Sequence, residues 1–171
     1  MRKIILNIAA SLDGFIEGPK GEFDWCFIDQ DYGMSDFLNR IDTIFFGRKS
    51  YELILKMSKN PFPDKTKYVF SKTKKYAEDK TRTIDQDFKK EIDLIKNQAG
   101  KDIWLFGGTE LITTLINYRL VDELHLAVHP LLLGLGKPLF KDINGKIEFA
   151  LTDTKTYSTG LVQLFYELIG K

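Results

Sequence analysis

Short apolar runs, rich in β-branched and aromatic residues, recur along the chain between polar segments. Runs of this length and composition are typical of buried strands. They predict strands at 3–9, 44–46, 67–71, 81–84, 102–106 and 122–128. The C-terminal segment differs, because 146–157 and 161–169 alternate in polarity around Ser158-Thr159-Gly160. That alternation predicts an antiparallel hairpin.

Segments of helical periodicity lie between several of these runs. Phe88, Ile92 and Ile95 share one face at the i, i+4, i+7 spacing. Helices are predicted at 34–41 with Ser35 as the N-cap, from about Ser50, at 87–98 and after Gly107-Gly108. The alternation of strands and helices, closed by a hairpin, predicts a single α/β domain over 1–171 with a mostly parallel sheet flanked by helices.

The segment from 19 to 33 is polar, aromatic and irregular, which is typical of a functional loop. It contains Trp25 and Asp31. A carboxylate beside apolar walls can have a raised pKa and act in acid–base chemistry. Asp31 is therefore a candidate proton donor, although a surface aspartate is the commoner outcome.

Composition narrows the classes of function. Lys and Arg number 25 and Asp and Glu number 24, so the net charge of +1 creates no field that would attract nucleic acid or a membrane surface. No apolar run approaches the roughly 20 residues of a membrane span. The single cysteine, Cys26, excludes an internal disulfide and a multi-cysteine zinc site, and no metal site is predicted. A reduced, cytoplasmic protein is expected.

Small or basic residues follow three of the predicted strands. The segments are Gly47-Arg48-Lys49-Ser50, Ser71-Lys72-Thr73-Lys74-Lys75 and Phe106-Gly107-Gly108-Thr109-Glu110. Ligands of open α/β sheets bind at the carboxyl ends of strands, and helix N-termini favour anions there. Each segment also has a plain structural reading, as a capped glycine turn, a solvated loop or a tight strand–helix connection. His129, before Pro130 at a strand end, is interpreted as a packed residue rather than a base.

In this order, the motifs resemble the dihydrofolate reductase superfamily over nearly the whole chain. Ser11-Leu12-Asp13-Gly14 and the segment 130–140 (PLLLGLGKPLF) are similar to the branch that contains the reductase domain of the bifunctional riboflavin-biosynthesis deaminase-reductase. The segment 47–52 (GRKSYE) and Pro61-Phe62-Pro63 resemble dihydrofolate reductase itself. The resemblance implies the dihydrofolate reductase-like fold and NADPH as the cofactor.

The resemblance also assigns roles to individual positions. Ala9 and Ile16 would flank the nicotinamide, and Ser71 and Lys72 would hold the adenosine 2′-phosphate. The remaining phosphate contacts would come from Gly47, Arg48, Lys49 and Ser50 and from Gly107, Gly108, Thr109, Glu110 and Leu111. Asp13, Trp25 and Ile54 would contact the substrate, with Asp31 or a water held near it as the proton donor.

The implied activity is hydride transfer from NADPH to a small heterocycle or a ribosylamino-pyrimidine. A dihydrofolate or pterin reductase is the alternative, although Lys65 and Ala127 stand where that family has the arginine for the folate tail and a supporting threonine. The riboflavin reductases have an aspartate near the position of Ile54. A nucleotide-binding module without catalysis and a purely structural protein are rivals of other classes. The apolar hairpin, with Leu161, Val162, Leu164, Phe165 and Tyr166, predicts a homodimer.

Overall fold

The computed structural model describes residues 1–78 and 80–170. The strands are β1 (Ile4–Ser11), β2 (Phe15–Glu17), β3 (Ile41–Gly47), β4 (Thr66–Phe70), β5 (Thr81–Ile84), β6 (Asp102–Gly107), β7 (Glu123–His129), β8 (Lys137–Pro138), β9 (Phe149–Thr156) and β10 (Val162–Leu168). The helices are α1 (Met34–Arg40), α2 (Arg48–Met57), α3 (Phe88–Lys96) and α4 (Thr109–Asn117).

Eight strands of the described residues form one sheet in the order β5-β4-β3-β6-β1-β7-β10-β9. The pairs from β5 to β7 are parallel, whereas β10 runs antiparallel to both β7 and β9. The prediction of a mostly parallel sheet with helices and a C-terminal antiparallel hairpin is confirmed. The sequence pattern did not predict the small sheet of β2 and β8, whose strands are only three and two residues long.

The prediction of Ser35 as a helix cap is wrong. Helix α1 begins at Met34, and the residue before it, Gly33, has a left-handed conformation with φ 76°. Ser35 lies inside the first turn, where its backbone N–H and its hydroxyl both donate to the carboxylate of Asp31. Asp31 therefore satisfies a free N–H group at the start of α1.

Each face of the sheet has its own hydrophobic core, because successive side chains of a strand point to opposite faces. Ile4 and Leu6 of β1 pack with residues of α3 and α4. Ile5 of β1 packs instead with Phe37 of α1 and Tyr51 of α2. Helices α1 and α2 contact β3, and α2 also contacts β4. On the same face of the sheet, α1 and α2 leave β1, β7 and β10 partly uncovered, and these strands border a cavity.

Among the residues that the structure describes, none of the helices has the length and apolarity that a membrane crossing demands.

Candidate active site

A cavity of about 750 Å³ lies on the α1 and α2 face of the sheet. Its floor follows the strand register. Ala9 of β1 pairs with Ala127 of β7, which pairs with Gln163 of β10, and all three residues line the cavity. Two adjacent alanines leave the space above the strands free. A flat ring can therefore approach the sheet closely at this row.

The walls of the cavity are mostly apolar. They come from Phe37 on α1, from Leu53, Ile54 and Met57 on α2, and from Phe27 on the 19–33 loop. Small-molecule sites are typically concave and apolar with a few polar groups that fix the ligand's orientation. Ile54, predicted from the sequence to contact the substrate, lies among these wall residues.

The 19–33 loop is fixed to the sheet by polar contacts to β7 and β10. The backbone N–H of Phe27 donates to Nε2 of His129 over 3.1 Å. The amide of Gln163 donates to the backbone carbonyl of Tyr32 over 2.8 Å. The ring of Tyr32 also packs on Tyr157, with 4.8 Å between ring centroids. These contacts hold the loop as one wall of the cavity.

His129 has its hydrogen-bonding roles fixed by its neighbours. Because the N–H of Phe27 can only donate, Nε2 accepts, and Nδ1 carries the proton and donates to the carbonyl of Ala127 over 3.0 Å. Burial lowers the pKa of the imidazole. The side chain is 2% exposed and neutral, which confirms the interpretation of His129 as a packed strand-end residue.

At its other end the cavity reaches the glycine turn between β6 and α4. Gly107 has φ 118°, a left-handed value that favours glycine, whereas Gly108 has an ordinary φ of −82°. A β-carbon on Gly47, at the start of α2, would lie 3.2 Å from the backbone nitrogen of Gly108. Two helix N-termini therefore meet at the carboxyl ends of β3 and β6, where free N–H groups favour an anion.

Gly108 also lies beside two polar side chains. A β-carbon there would lie 3.1 Å from the hydroxyl of Ser50 and 3.4 Å from Nζ of Lys137. Lys137 bonds to the carboxylate of Glu17 over 3.1 Å. Sequence reasoning predicted Ser50 but missed Lys137 and Glu17 as site residues. Lys137 was quoted only as part of the 130–140 segment, and its approach to Gly108 depends on the pairing of β2 with β8.

The residues expected to contact the pyrophosphate differ in their exposure. Thr109 is buried, and its hydroxyl donates to the carbonyl of Pro138 over 2.9 Å. The side chain of Leu111 lies in the hydrophobic core, and its N–H donates to the carbonyl of Gly108 over 3.0 Å. Glu110 is exposed in the first turn of α4. These side chains are therefore structural or peripheral, and the backbone of the turn is what could hold an anion.

Two of the predicted anion segments, 47–50 and 71–75, come together through Glu52. Its carboxylate pairs with Arg48 over 3.0 Å and with Lys74 over 3.2 Å, and it accepts a hydrogen bond from the hydroxyl of Tyr76. The Tyr76 hydroxyl, followed by Lys74 and Arg48, holds the pKa of the Glu52 carboxyl below its usual value. Burial, together with Glu52, raises the pKa of Tyr76 to about 12.

The other basic and hydroxyl residues near this corner are positioned less directly. Lys49 is exposed at the start of α2. Ser71 is 5% exposed, and its hydroxyl accepts the backbone N–H of Lys74 over 3.0 Å. The Nζ of Lys72 lies 5.9 Å from the ring centroid of Phe88. Of these basic residues, Arg48 and Lys74 are the two that pair with the Glu52 carboxylate.

The polar end of the cavity lies under α1 and was missed from the sequence. Arg40 forms two 2.8 Å hydrogen bonds with Glu123, and Lys3 donates to Glu123 over 2.6 Å. Burial alone would raise the pKa of Glu123, but hydrogen bonds from His125, Arg40 and Lys3 outweigh it and hold that pKa well below its usual range. Arg40 and His125 both line the cavity.

Two residues expected to contact the substrate occupy structural positions instead. The carboxylate of Asp13 accepts hydrogen bonds from the Ser11 hydroxyl over 2.6 Å and from the N–H of Gly134 over 2.7 Å. Asp13 is not among the cavity-lining residues, and it fixes the turn after β1 to the 130–140 segment. Trp25 is not among the cavity-lining residues either, and it packs edge-on against His129 with 5.2 Å between ring centroids.

Asp31 lies at the cavity rim, but its expected raised pKa is wrong. Hydrogen bonds from the hydroxyl and the N–H of Ser35 lower the pKa of this fully exposed carboxyl. Cys26 also lines the cavity. Burial, with a smaller effect of Asp24, raises the pKa of the Cys26 thiol to about 11. The thiol is therefore not a thiolate nucleophile at neutral pH.

Residues 2–163 match the family model described as the RibD C-terminal domain. The chain belongs to the RibD C-terminal domain family. The chain is also 47% identical to the uncharacterized protein YyaP of Bacillus subtilis, an alignment that covers 99% of this chain and 96% of YyaP. The predicted superfamily branch is confirmed.

Solved structures agree with membership of the RibD C-terminal domain family. A Shewanella sp. PV-4 protein, whose name refers to riboflavin biosynthesis, has a TM-score of 0.88 at 25% identity, with 98% of this chain and 99% of that chain covered. The Thermotoga maritima diaminohydroxyphosphoribosylaminopyrimidine deaminase/5-amino-6-(5-phosphoribosylamino)uracil reductase has a TM-score of 0.74 at 12% identity, and the match covers 98% of this chain and 56% of that longer one.

A dihydrofolate reductase from Enterococcus faecalis, solved with NADP(H), shares the fold with a TM-score of 0.72 at 17% identity. The match covers 98% of this chain and 97% of that chain. At this identity, the likeness shows that this RibD-type domain has the dihydrofolate reductase-like fold.

Proposed function

We propose that the protein is an NADPH-dependent reductase that transfers a hydride to a small heterocyclic or ribosylamino-pyrimidine substrate. The observation that carries the proposal is the continuity of one cavity. It extends from the alanine floor at Ala9 and Ala127 to Gly108, where the N-termini of two helices meet. Such a cavity accommodates a flat ring at one end and a diphosphate at the other.

The residues at the glycine end fit a dinucleotide. NADPH, when bound, supplies the hydride. Ala9 and Ile16 line the cavity where the nicotinamide would lie. The backbone around Gly47, Gly107 and Gly108 would hold the pyrophosphate, with Thr109, Glu110 and Leu111 contributing through the first turn of α4. A β-carbon on Gly108 would fill this space, since Ser50 and Lys137 already border it.

The corner around Glu52 fits the adenosine 2′-phosphate. Arg48, Ser71 and Lys72 would contact the phosphate, and Lys49 adds an exposed cation next to Arg48. Lys137, whose Nζ lies beside Gly108, would contribute a further cation to the pyrophosphate site. Cations of this kind bind a phosphate through charge-assisted hydrogen bonds.

The substrate end combines apolar walls with the polar residues that lie under α1, among them Arg40 and His125. Ile54 and Phe37 would pack on the substrate ring, and the 19–33 loop would exclude water from it. Asp31 stands at the rim with a lowered pKa, so it would be a poor proton donor. A donor from the floor of the cavity fits the geometry better.

The test is a cofactor titration followed by a turnover assay. Calorimetry with NADPH and with NADH is expected to show binding, with NADPH preferred. The fall in NADPH absorbance is then followed with 5-amino-6-(5-phosphoribosylamino)uracil and with dihydrofolate as separate substrates. Turnover with dihydrofolate alone would establish the pterin-reductase alternative.

Two outcomes would contradict the proposal. Binding of NADPH without oxidation in either assay would favour a nucleotide-binding module. A melting temperature unchanged by NADPH would favour a structural protein, because a ligand that binds only the native state must stabilise it.

We also propose a homodimer, with two-fold symmetry as the commonest closed arrangement. The apolar hairpin residues that predicted it are used within the chain, since Phe165 packs on His125 and Leu161 is 1% exposed. Support comes instead from β9, an edge strand with mostly exposed side chains, because edge strands present unpaired backbone groups. Light scattering should give about twice the chain mass, and a value of 19.7 kDa would refute the dimer.

A further inference from the structure

His125 stands in the floor of the cavity, on the row next to the two alanines. It pairs with Asn7 of β1 and with Phe165 of β10 in the strand register. The ring packs between Phe37 and Phe165, at centroid distances of 5.9 and 4.8 Å. These aromatic neighbours fix the imidazole, and its side chain remains 14% exposed where it lines the cavity.

One nitrogen of this imidazole is occupied and the other is not. Nε2 lies 3.0 Å from Oε2 of Glu123. Arg40 and Lys3 keep Glu123 ionised, so its oxygens can only accept and Nε2 carries a proton. Among residues 1–78 and 80–170, no protein group bonds to Nδ1 of His125. The second nitrogen is therefore available to a molecule in the cavity.

We propose that His125 is a catalytic residue of this cavity, whose Nδ1 binds the substrate and supplies the proton of the reduction. The inference rests on the proposed reductase function. When a carbon–nitrogen double bond is reduced, carbon receives the hydride with both electrons, and the π pair moves to nitrogen. That nitrogen takes the proton from Nδ1, the imidazolium becomes neutral, and NADPH becomes NADP⁺. Solvent then returns a proton to His125.

The charged groups around His125 come from three elements. Glu123 shares its strand, Asp36 and Arg40 line the cavity from α1, and Lys155 lines it from β9. Glu123 accepts a hydrogen bond from His125, whereas Arg40 and Lys155 bring positive charge to the same cavity. Glu123 and Arg40 are positioning residues in this scheme, because they orient and balance the ring without contacting the substrate.

Two substitutions separate a catalytic role from a structural one. In His125→Gln, the amide can reach the position of Nε2 and keep the bond to Glu123, but nothing occupies the position of Nδ1. In His125→Asn, the amide lies near the position of Nδ1, but the bond to Glu123 is lost. A purely structural His125 would be replaced by glutamine without loss of activity.

The expected kinetics with 5-amino-6-(5-phosphoribosylamino)uracil follow from that difference. His125→Gln should fold with a melting temperature close to that of the wild type, bind NADPH unchanged, and lose about 100-fold or more in kcat. His125→Asn should lose a similar factor in kcat but keep the KM closer to that of the wild type. Wild-type kcat and KM in His125→Gln would overturn the proposal.

A chemical test on the wild-type protein needs no cofactor. Diethyl pyrocarbonate acylates accessible imidazole nitrogens in their unprotonated form, so the reaction is run at pH 8, above the ordinary imidazole pKa of about 6.5, and peptide mass spectrometry locates the product. His125 should react, whereas His129, with both nitrogens bonded and 2% exposure, should not. An unreactive His125 in the folded protein would overturn the inference. Failure to bind NADPH in calorimetry would instead refute the proposed reductase function, so the two failures are distinguishable.

Discussion

The two ends of the cavity are built in different ways. The glycine end uses consecutive residues, at 47–50 and at 107–109, and offers mainly backbone groups. The polar end assembles Lys3, Arg40 and the pair Glu123 and His125 from distant parts of the chain. A site made of backbone groups can be written in a short motif, whereas a site made of side chains depends on which strands become neighbours.

The two ends also differ in what disturbs them. At the glycine end a single added methyl group would occupy the space for a ligand. At the polar end, removal of one charge leaves its partners with fewer hydrogen bonds in a partly buried place. The first kind of change should affect ligand affinity, and the second should affect stability and its dependence on pH.

The largest expected effect is at the glycine turn. Gly108→Ala keeps an ordinary φ but places a methyl group against Ser50 and Lys137, so NADPH affinity should fall at least about 100-fold, or ~2.8 kcal/mol, while the fold survives. Gly107→Ala is the matched variant, because φ 118° strains any other residue. It should lower the melting temperature. Calorimetry and thermal melts on both variants measure the difference, and a destabilised Gly108→Ala with unaltered affinity per folded molecule would show that Gly108 has only a structural role.

The next effect concerns acid stability at the polar end. The pKa of Glu123 is lowered on folding, so its contribution to stability is present above the ordinary value of 4.5 and is lost as the pH falls further, toward the folded pKa. Glu123→Gln should lower the free energy of unfolding at pH 7 by about 2 kcal/mol, the scale of hydrogen bonds to a charged group. In this variant the free energy of unfolding should also fall less steeply as the pH drops below about 4.5.

Glu167→Gln is the control for Glu123. In the wild type, Glu167 also pairs with Lys3, over 2.9 Å, but the Glu167 side chain is 52% exposed. Solvent-exposed ion pairs contribute little, so this variant should change stability by less than about 1 kcal/mol. Denaturant unfolding from pH 3 to 7 compares the two variants. Equal losses would contradict the distinct role of Glu123.

An effect of similar size is expected in cofactor preference. Arg48→Ala should weaken NADPH by about 1.5–3 kcal/mol at most, the range for one charge-assisted hydrogen bond, and should leave NADH almost unchanged. Lys89→Ala removes the same charge from an exposed position on α3 and should alter neither dissociation constant. Calorimetry with both cofactors measures this. Equal NADPH and NADH affinities in the wild type would refute the 2′-phosphate assignment.

The smallest effect concerns the 19–33 loop. The folded pKa of His129 is lowered by burial, so its contribution is present above the unfolded pKa of about 6.5 and is lost as the pH falls toward the folded pKa. Protonation breaks the bond from Phe27, worth about 1 kcal/mol. Amide exchange of Phe27 should therefore accelerate from pH 7.5 to 5.5, after correction for intrinsic exchange. In His129→Gln, an amide oxygen can accept the same bond without titrating, so that acceleration should disappear.

Local sequence pattern determined most of the fold. The apolar runs predicted the main strands, and the helical periodicity predicted α3 and α4, because burial of one face needs side chains at the period of the element. The glycine turns were also predicted locally, because glycine between a strand and a helix leaves the backbone N–H groups accessible to a ligand. The pattern failed for β2 and β8, which are too short to show a period.

Strand order and helix placement decided what no local pattern could. No local pattern indicated that His125 would face a cavity, since a polar residue in a strand normally faces solvent. It faces inward because β7 lies between β1 and β10, where α1 and α2 leave room. Its Nε2 is hydrogen-bonded to Glu123, and Arg40 is bonded to the same carboxylate. In the same way, the sequence made Asp31 a candidate for proton transfer, but the start of α1 places it beside Ser35, which stabilises its charged form.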